Sequence, residues 1–235
     1  LSRRGRVWTP GARLYQKYGG GYWQLVFLGE FLAPRRLPGV EDGVEFVLER
    51  GRPFLAGQPW FGIHCLNANV LRALVALGFG NDPRVRAGLE HVAREVLGAG
   101  GVPCFISDWS IYPTCRMSLP KVLLAMTALP ASERSPAMRR ATRLCRELLL
   151  ENEVCRYVSP YAREWVEGLP RLPRGSPRSS SLVPAKREAI RRIKAEFVRR
   201  KGGLGDLADK PGWLRFGFPL HYNSDALEAL LALAG

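Results

Sequence analysis

The sequence predicts an all-α protein assembled from repeated helix hairpins, and three observations carry that expectation. An octapeptide recurs: Pro38-Gly39-Val40-Glu41-Asp42-Gly43-Val44-Glu45 matches Pro83-Arg84-Val85-Arg86-Ala87-Gly88-Leu89-Glu90, 45 residues further on, in its Pro, Val, Gly, aliphatic and Glu positions. A looser third copy begins at Ser135-Pro136-Ala137-Met138. A nearly all-apolar helical segment precedes each copy, and a repeat of this length is the signature of stacked supersecondary units.

Each copy reads as a helix start. Asp82 and Ser135 can accept from the free N–H groups of a first turn, and Pro83 and Pro136 suit the first helical position, where no N–H is needed. Behind Pro83, the residues Val85, Leu89, Val92 and Val96 fall on one helical face. These are outer helices. The inner set is expected at Trp23–Phe31, Leu66–Leu77, Leu119–Leu129 and Ala226–Ala234, apolar on nearly every side and so buried all round. Three of them end in Phe27-Leu28-Gly29, Ala76-Leu77-Gly78 and Ala128-Leu129-Pro130, where Gly or Pro stops a helix. Two entries also align, Cys65-Leu66-Asn67-Ala68-Asn69 with His221-Tyr222-Asn223-Ser224-Asp225.

The chain of 235 residues is read as one domain, interrupted by a basic segment at about 168–201. That segment opens with a loop rich in Pro, Arg, Ser and Gly and continues as a basic amphipathic helix, Ala185 to Lys201, with Ile190, Ile193 and Phe197 on one face. Its bland role is a docked surface helix; peripheral membrane contact is the sharper one. Lys and Arg total 35 against 21 Asp and Glu, a net charge of +14. Such a charge attracts polyanions, but the basic residues are dispersed and no nucleic-acid motif accompanies them, which argues against a nucleic-acid partner. No apolar run approaches the 18 residues of a membrane span. Five cysteines with no CxxC pair, and no leader pattern, fit a reduced, cytoplasmic protein.

With its hairpin period, its Asp-Pro-x-Val start and its Gly-Gly turns at Gly100-Gly101 and Gly202-Gly203, the chain resembles the family of squalene and terpenoid cyclases and protein-prenyltransferase β-subunits. The resemblance covers about residues 15–167 and 202–235, and Phe216-Gly217-Phe218-Pro219-Leu220 is similar to stretches in uncharacterised prenyltransferase-like proteins. It implies an α/α-toroid, a partial or complete double ring of helix hairpins around an apolar pocket for an isoprenoid or similar ligand. The chain departs from both catalytic patterns. The Asp-x-Asp-Asp cluster, in which neighbouring acids keep one carboxyl protonated for alkene protonation, is absent, as is the Gln-to-Trp repeat. Where the zinc enzymes carry Asp-x-Cys, Cys115 follows Pro113, which cannot ligate a metal. A zinc ion held by Cys115 and His221 is thus an incomplete site, and catalysis is left open.

In that family the entries of the inner helices line the mouth of the toroid. Here they carry His64, Cys65, Asn67, Asn69, Cys115, Arg116, His221, Tyr222, Asn223 and Asp225. Asp225 or Asp108 is the expected general acid, with His221 as partner. Tyr22, Trp23, Trp60, Trp109, Tyr222 and His64 are expected to shape the ligand pocket, with ring faces suited to carbocations, and Lys210 and Arg215 to hold a diphosphate. Capping of the helices explains the Asn and Asp residues equally well, and ordinary packing explains most of the rings. The rival reading is a non-catalytic repeat scaffold that binds a peptide or protein partner on its concave face.

Overall fold

A computed structural model describes residues 3–4, 7–8, 19–55, 64–102, 114–115, 117–151, 153–154, 156–158, 188, 192, 207–209, 211–215 and 224–235. Its helices are α1 (Gly21–Glu30), α2 (Val40–Leu55), α3 (His64–Leu74), α4 (Pro83–Ala99), α5 (Ser118–Thr127), α6 (Pro136–Leu150) and α7 (Ala226–Ala234). They form hairpins α1–α2, α3–α4 and α5–α6, each an inner helix followed by an outer one. Inner helices pack in succession, α1 on α3, α3 on α5 and α5 on α7, and the outer helices follow, α2 on α4 and α4 on α6. The result is a two-layered stack of hairpins. Among the described residues the two end helices of the inner layer, α1 and α7, do not pack extensively on each other.

The outer starts behave as their residues dictate. Asp82 accepts from the Arg84 N–H at 2.8 Å and Ser135 from the Met138 N–H at 3.1 Å, with Pro83 and Pro136 in the first turn. The first copy differs. Gly39 adopts φ 85 and α2 begins only at Val40, since Pro38 cannot enter a helix through a left-handed residue.

The inner ends also sort unevenly. Gly78 has φ +88 and lies in a π-helical turn, Val75–Phe79, that closes α3. Gly29, expected to stop α1, instead lies within the helix, and Leu32, with φ 50, follows its end. Gly29 has another task. A Cβ at that position would lie 2.7 Å from both Cα and Cβ of Ala73, so α1 and α3 touch backbone to backbone there. Gly29→Ala is expected to lower the melting temperature. Its overpacking cost, toward the upper part of about 1–3 kcal/mol because backbone blocks the methyl group, exceeds the helix propensity gained, about 1 kcal/mol. Gly98→Ala in α4, where nothing lies within 4 Å, should raise it. Thermal unfolding of the two variants side by side checks both signs.

The core runs between the layers. Leu25, Val47, Leu66, Leu71, Leu74, Val85, Leu89, Val122, Leu123 and Met126 are all buried, and Gly88 of α4 lets Leu71 of α3 approach closely. Arg84 ties the outer layer together: it forks onto Glu45 of α2 at 2.7 and 2.8 Å while also holding Asp82. Its hydrogen bonds hold both carboxyls below their usual range.

Two small antiparallel ribbons complete the described structure: β1 (Arg3–Arg4) with β2 (Val7–Trp8), and β3 (Arg156–Val158) with β4 (Leu207–Asp209). The sequence reading contained no strands. The second ribbon brings Val158 beside Leu207. Of the basic segment only Glu188 and Arg192 are described, joined by an ion pair of 3.2 Å one helical turn apart. α7 packs directly on α5 despite the sequence between them. No helix among the described residues is long and apolar enough to cross a membrane.

Candidate functional site

An antiparallel hairpin returns the chain to where it started, so successive inner helices run parallel and their N-termini gather at one end. The contacts confirm the register for the last pair. Ser224 Oγ donates to the Met117 carbonyl at 2.7 Å, and Lys121 Nζ lies 2.9 and 3.0 Å from the two carboxylate oxygens of Glu228. Both contacts join residues 107 apart in sequence. Equal offsets one turn apart define two parallel helices in step.

This end of the inner layer holds most of the described buried polar residues. His64, Asn67 and Asn69 begin α3, Ser118 and Lys121 begin α5, and Ser224, Asp225 and Glu228 begin α7. Tyr22 and Trp23 begin α1 and are also buried. Burial of so many polar groups costs stability unless each is answered, and the chain answers several of them. Asp225 accepts from the Glu228 N–H at 2.8 Å. It is the N-cap of α7, the role that competes with general acid catalysis. The Lys121–Glu228 pair is almost fully desolvated, with side-chain exposures of 0% and 7%. Asn67 Oδ1 has no hydrogen-bond partner among the described residues.

His64 is 4% exposed. Burial, and secondarily the charge of His91 on α4, lowers its pKa to about 4. Its ring is therefore neutral at physiological pH. Burial also raises the Tyr22 phenol well above its ordinary value. The Tyr22 hydroxyl sits where a side chain on Gly51 would be, so Tyr22 belongs to the seam between α1 and α2. Trp23 lies in the same core.

Cys115 is half-buried. Its backbone N–H donates to the Val102 carbonyl at 2.7 Å, and its carbonyl accepts from Ser118 and Leu119, which anchors the start of α5. Among the described residues no three His, Cys, Asp or Glu side chains are grouped to hold a metal. The Asn and Asp entries aligned by sequence are not equivalent in space: α3 begins at His64, placing Asn69 inside the helix, whereas Asp225 precedes α7. Arg215 is exposed, after a short 3-10 turn, Pro211–Leu214, that buries Trp213. Asp108, His221, Trp60, Trp109, Tyr222, Lys210 and Arg116 lie outside the described residues.

The structure thus brings His64, Cys115 and Asp225 to the same end of the inner layer, as expected of inner-helix entries. What sequence reasoning missed is Lys121 and Glu228. Each is a single charge inside an otherwise apolar run, and that was the available signal: a lone charge on a helix buried all round demands an opposite partner. A depression of about 320 Å³, lined by Arg86, Glu90, Glu133, Ser135 and Met138, lies on the outer layer, between α4 and α6, away from this end.

Fold and site together define an all-α protein of stacked helix hairpins with a buried polar layer at one end of its inner helices. No protein-family model, curated protein or solved structure matches the chain.

Proposed function

We propose that the protein binds an isoprenoid or similarly apolar ligand with a polar head at the N-terminal end of its inner helices, in an α/α-toroid-like arrangement. The observation that carries this reading is the buried polar layer itself. A stack held together by apolar packing alone has no need of His64, Asn67, Ser118, Lys121, Asp225 and Glu228 below its surface. The unanswered Asn67 Oδ1 is an acceptor left for a ligand hydroxyl or amide. Four parallel helix N-termini at one end also favour an electron-rich head group, such as a hydroxyl oxygen, there.

The direct test is native mass spectrometry after incubation with farnesyl or geranylgeranyl diphosphate and with the matching alcohols. A one-to-one adduct is expected. No adduct from a chain whose circular dichroism is fully helical would end the proposal. Catalysis is tested separately at Asp225. Asp225→Asn keeps an N-cap and should leave stability within a few tenths of a kcal/mol, whereas Asp225→Ala should cost about 1 kcal/mol. If turnover of an isoprenoid is found and Asp225→Asn abolishes it with the fold intact, Asp225 is an acid as well as a cap. Unchanged turnover confines it to capping.

The scaffold reading has one observation of its own. On the side of α7 turned away from α5, Leu227, Leu230 and Leu231 are 49%, 55% and 57% exposed, an apolar edge of the kind that stacked repeats extend or cover. Capture of a defined peptide that Leu227→Gln and Leu230→Gln abolish, without loss of ligand binding, would favour it.

A further inference from the structure

We propose that α6 is a docking face for an anionic lipid surface. Arg139, Arg143, Arg146 and Leu150 fall at i, i+4, i+7 and i+11, which places them in one line along the helix. Arg139 and Arg143 are exposed, Arg146 is half-buried, and Leu150 is 60% exposed. Arg140 stands beside the line. The arginines of α4 form a contrast. Arg84 pairs with Glu45 and Asp82, Arg86 with Glu133, and Arg94 with Glu90. On α6, Arg139 donates to the Arg134 carbonyl, yet none of its four arginines joins an ion pair among the described residues. The Nε of Arg146 is buried without an acceptor.

The repeat explains why the charges go unanswered. Glu45, Glu90 and Arg143 hold the same position in the three copies. Glu45 reaches Arg84 at the start of the next outer helix, and Glu90 reaches Ser135 at the start of the one after. At the third copy the sign reverses, and the series of acidic links ends in an arginine. On α6 four arginines face one acid, Glu147, with Glu151 and Glu153 just past the helix and all three acids exposed, so α6 itself stays net basic.

Charge complementarity selects a polyanion, and the composition of the face selects lipid. α6 carries no aromatic, Asn or Gln residue, so it has nothing with which to stack on or read nucleobases. An exposed leucine at the end of a basic line is suited to a bilayer interface, where the apolar tip enters below the phosphates and arginine stems snorkel.

Co-sedimentation of the full chain with phosphatidylserine-containing vesicles and with phosphatidylcholine vesicles tests this. Binding to the first and not the second is expected, weakening as salt rises. Arg139→Ala with Arg143→Ala should reduce partitioning about 30-fold, each arginine near an anionic surface contributing about fivefold. The control, Arg35→Ala with Arg94→Ala, removes the same charge from paired positions and should change binding by less than about twofold. Equal binding to both vesicles, equal loss in the control, or loss of duplex-DNA binding by the α6 variant with vesicle binding intact would each overturn the proposal.

Discussion

Replacing Lys121 with methionine will destabilise the protein by about 3–5 kcal/mol, and replacing Glu228 with leucine in the same chain will restore most of that loss. The pair lies between two inner helices with 0% and 7% side-chain exposure and N–O distances of 2.9 and 3.0 Å. Removing one partner leaves a bare charge with no solvent, and the remaining group must either stay unpaired or change its protonation. Removing both leaves two apolar side chains of similar volume in an apolar surrounding, which is near neutral or favourable. Denaturant unfolding of K121M, E228L and the double variant measures the coupling. A large positive interaction energy is expected. Additivity of the two single losses would mean that the charges are solvated in solution and that α5 and α7 are not packed as described. The pair also sets register. With Ser224 on Met117, it fixes α7 in step with α5 although the two contacts join residues 107 apart in sequence, a constraint that nonspecific leucine packing lacks.

The elements of this fold were legible where a single turn of chain decides them. Asp82-Pro83 and Ser135-Pro136 announce helix starts because capping and the missing proline N–H are local properties, and both starts are found at those residues. Ala226–Ala234 is found with the expected bounds for the same reason: an Asp before a run of Ala and Leu broken only by Glu228. Gly29 misled because its meaning is tertiary. The same residue type ends a helix in one place, as Gly78 does, and admits a neighbouring backbone in another, and only the position of Ala73 tells the two apart. The site was legible in outline. Polar residues at inner-helix entries do gather, since the hairpin topology makes those helices parallel. Their partnerships were not legible, because a carboxylate that caps its own helix and one that faces a ligand look alike in sequence. Lys121 and Glu228 were not legible for a different reason. Averaging over an apolar segment hides one charge, although that charge constrains the packing more than any leucine beside it.

The remaining large effect belongs to His64. Its stability contribution is expected to depend on pH by up to about 3 kcal/mol, from a pKa of about 4 in the folded protein against 6.5 unfolded at about 1.4 kcal/mol per pH unit. The sign follows from which state takes up the proton. Between pH 4 and 6.5 the unfolded chain protonates this imidazole while the folded chain excludes it, so the protein loses stability as pH falls through that window. Above pH 6.5 both states are neutral and nothing is lost; below 4 both are charged and the loss is complete. Carboxyls such as Glu45 and Asp82, held low by Arg84, add their own loss at still lower pH, so the comparison must be with a His64→Gln variant across the same range. The variant is expected to show a flatter profile from pH 6.5 to 4, whatever its absolute stability. Parallel profiles would place His64 in contact with water. His91→Gln supplies a second check, since relief of its charge raises the His64 pKa and narrows the window. The neutrality of this ring also bears on the ligand. At the start of α3 it can donate or accept one hydrogen bond but brings no positive charge, so a diphosphate bound near it must take its cations from elsewhere. A ligand whose head is a hydroxyl can donate to the Asn67 oxygen, and should outbind its diphosphate in the mass-spectrometric comparison.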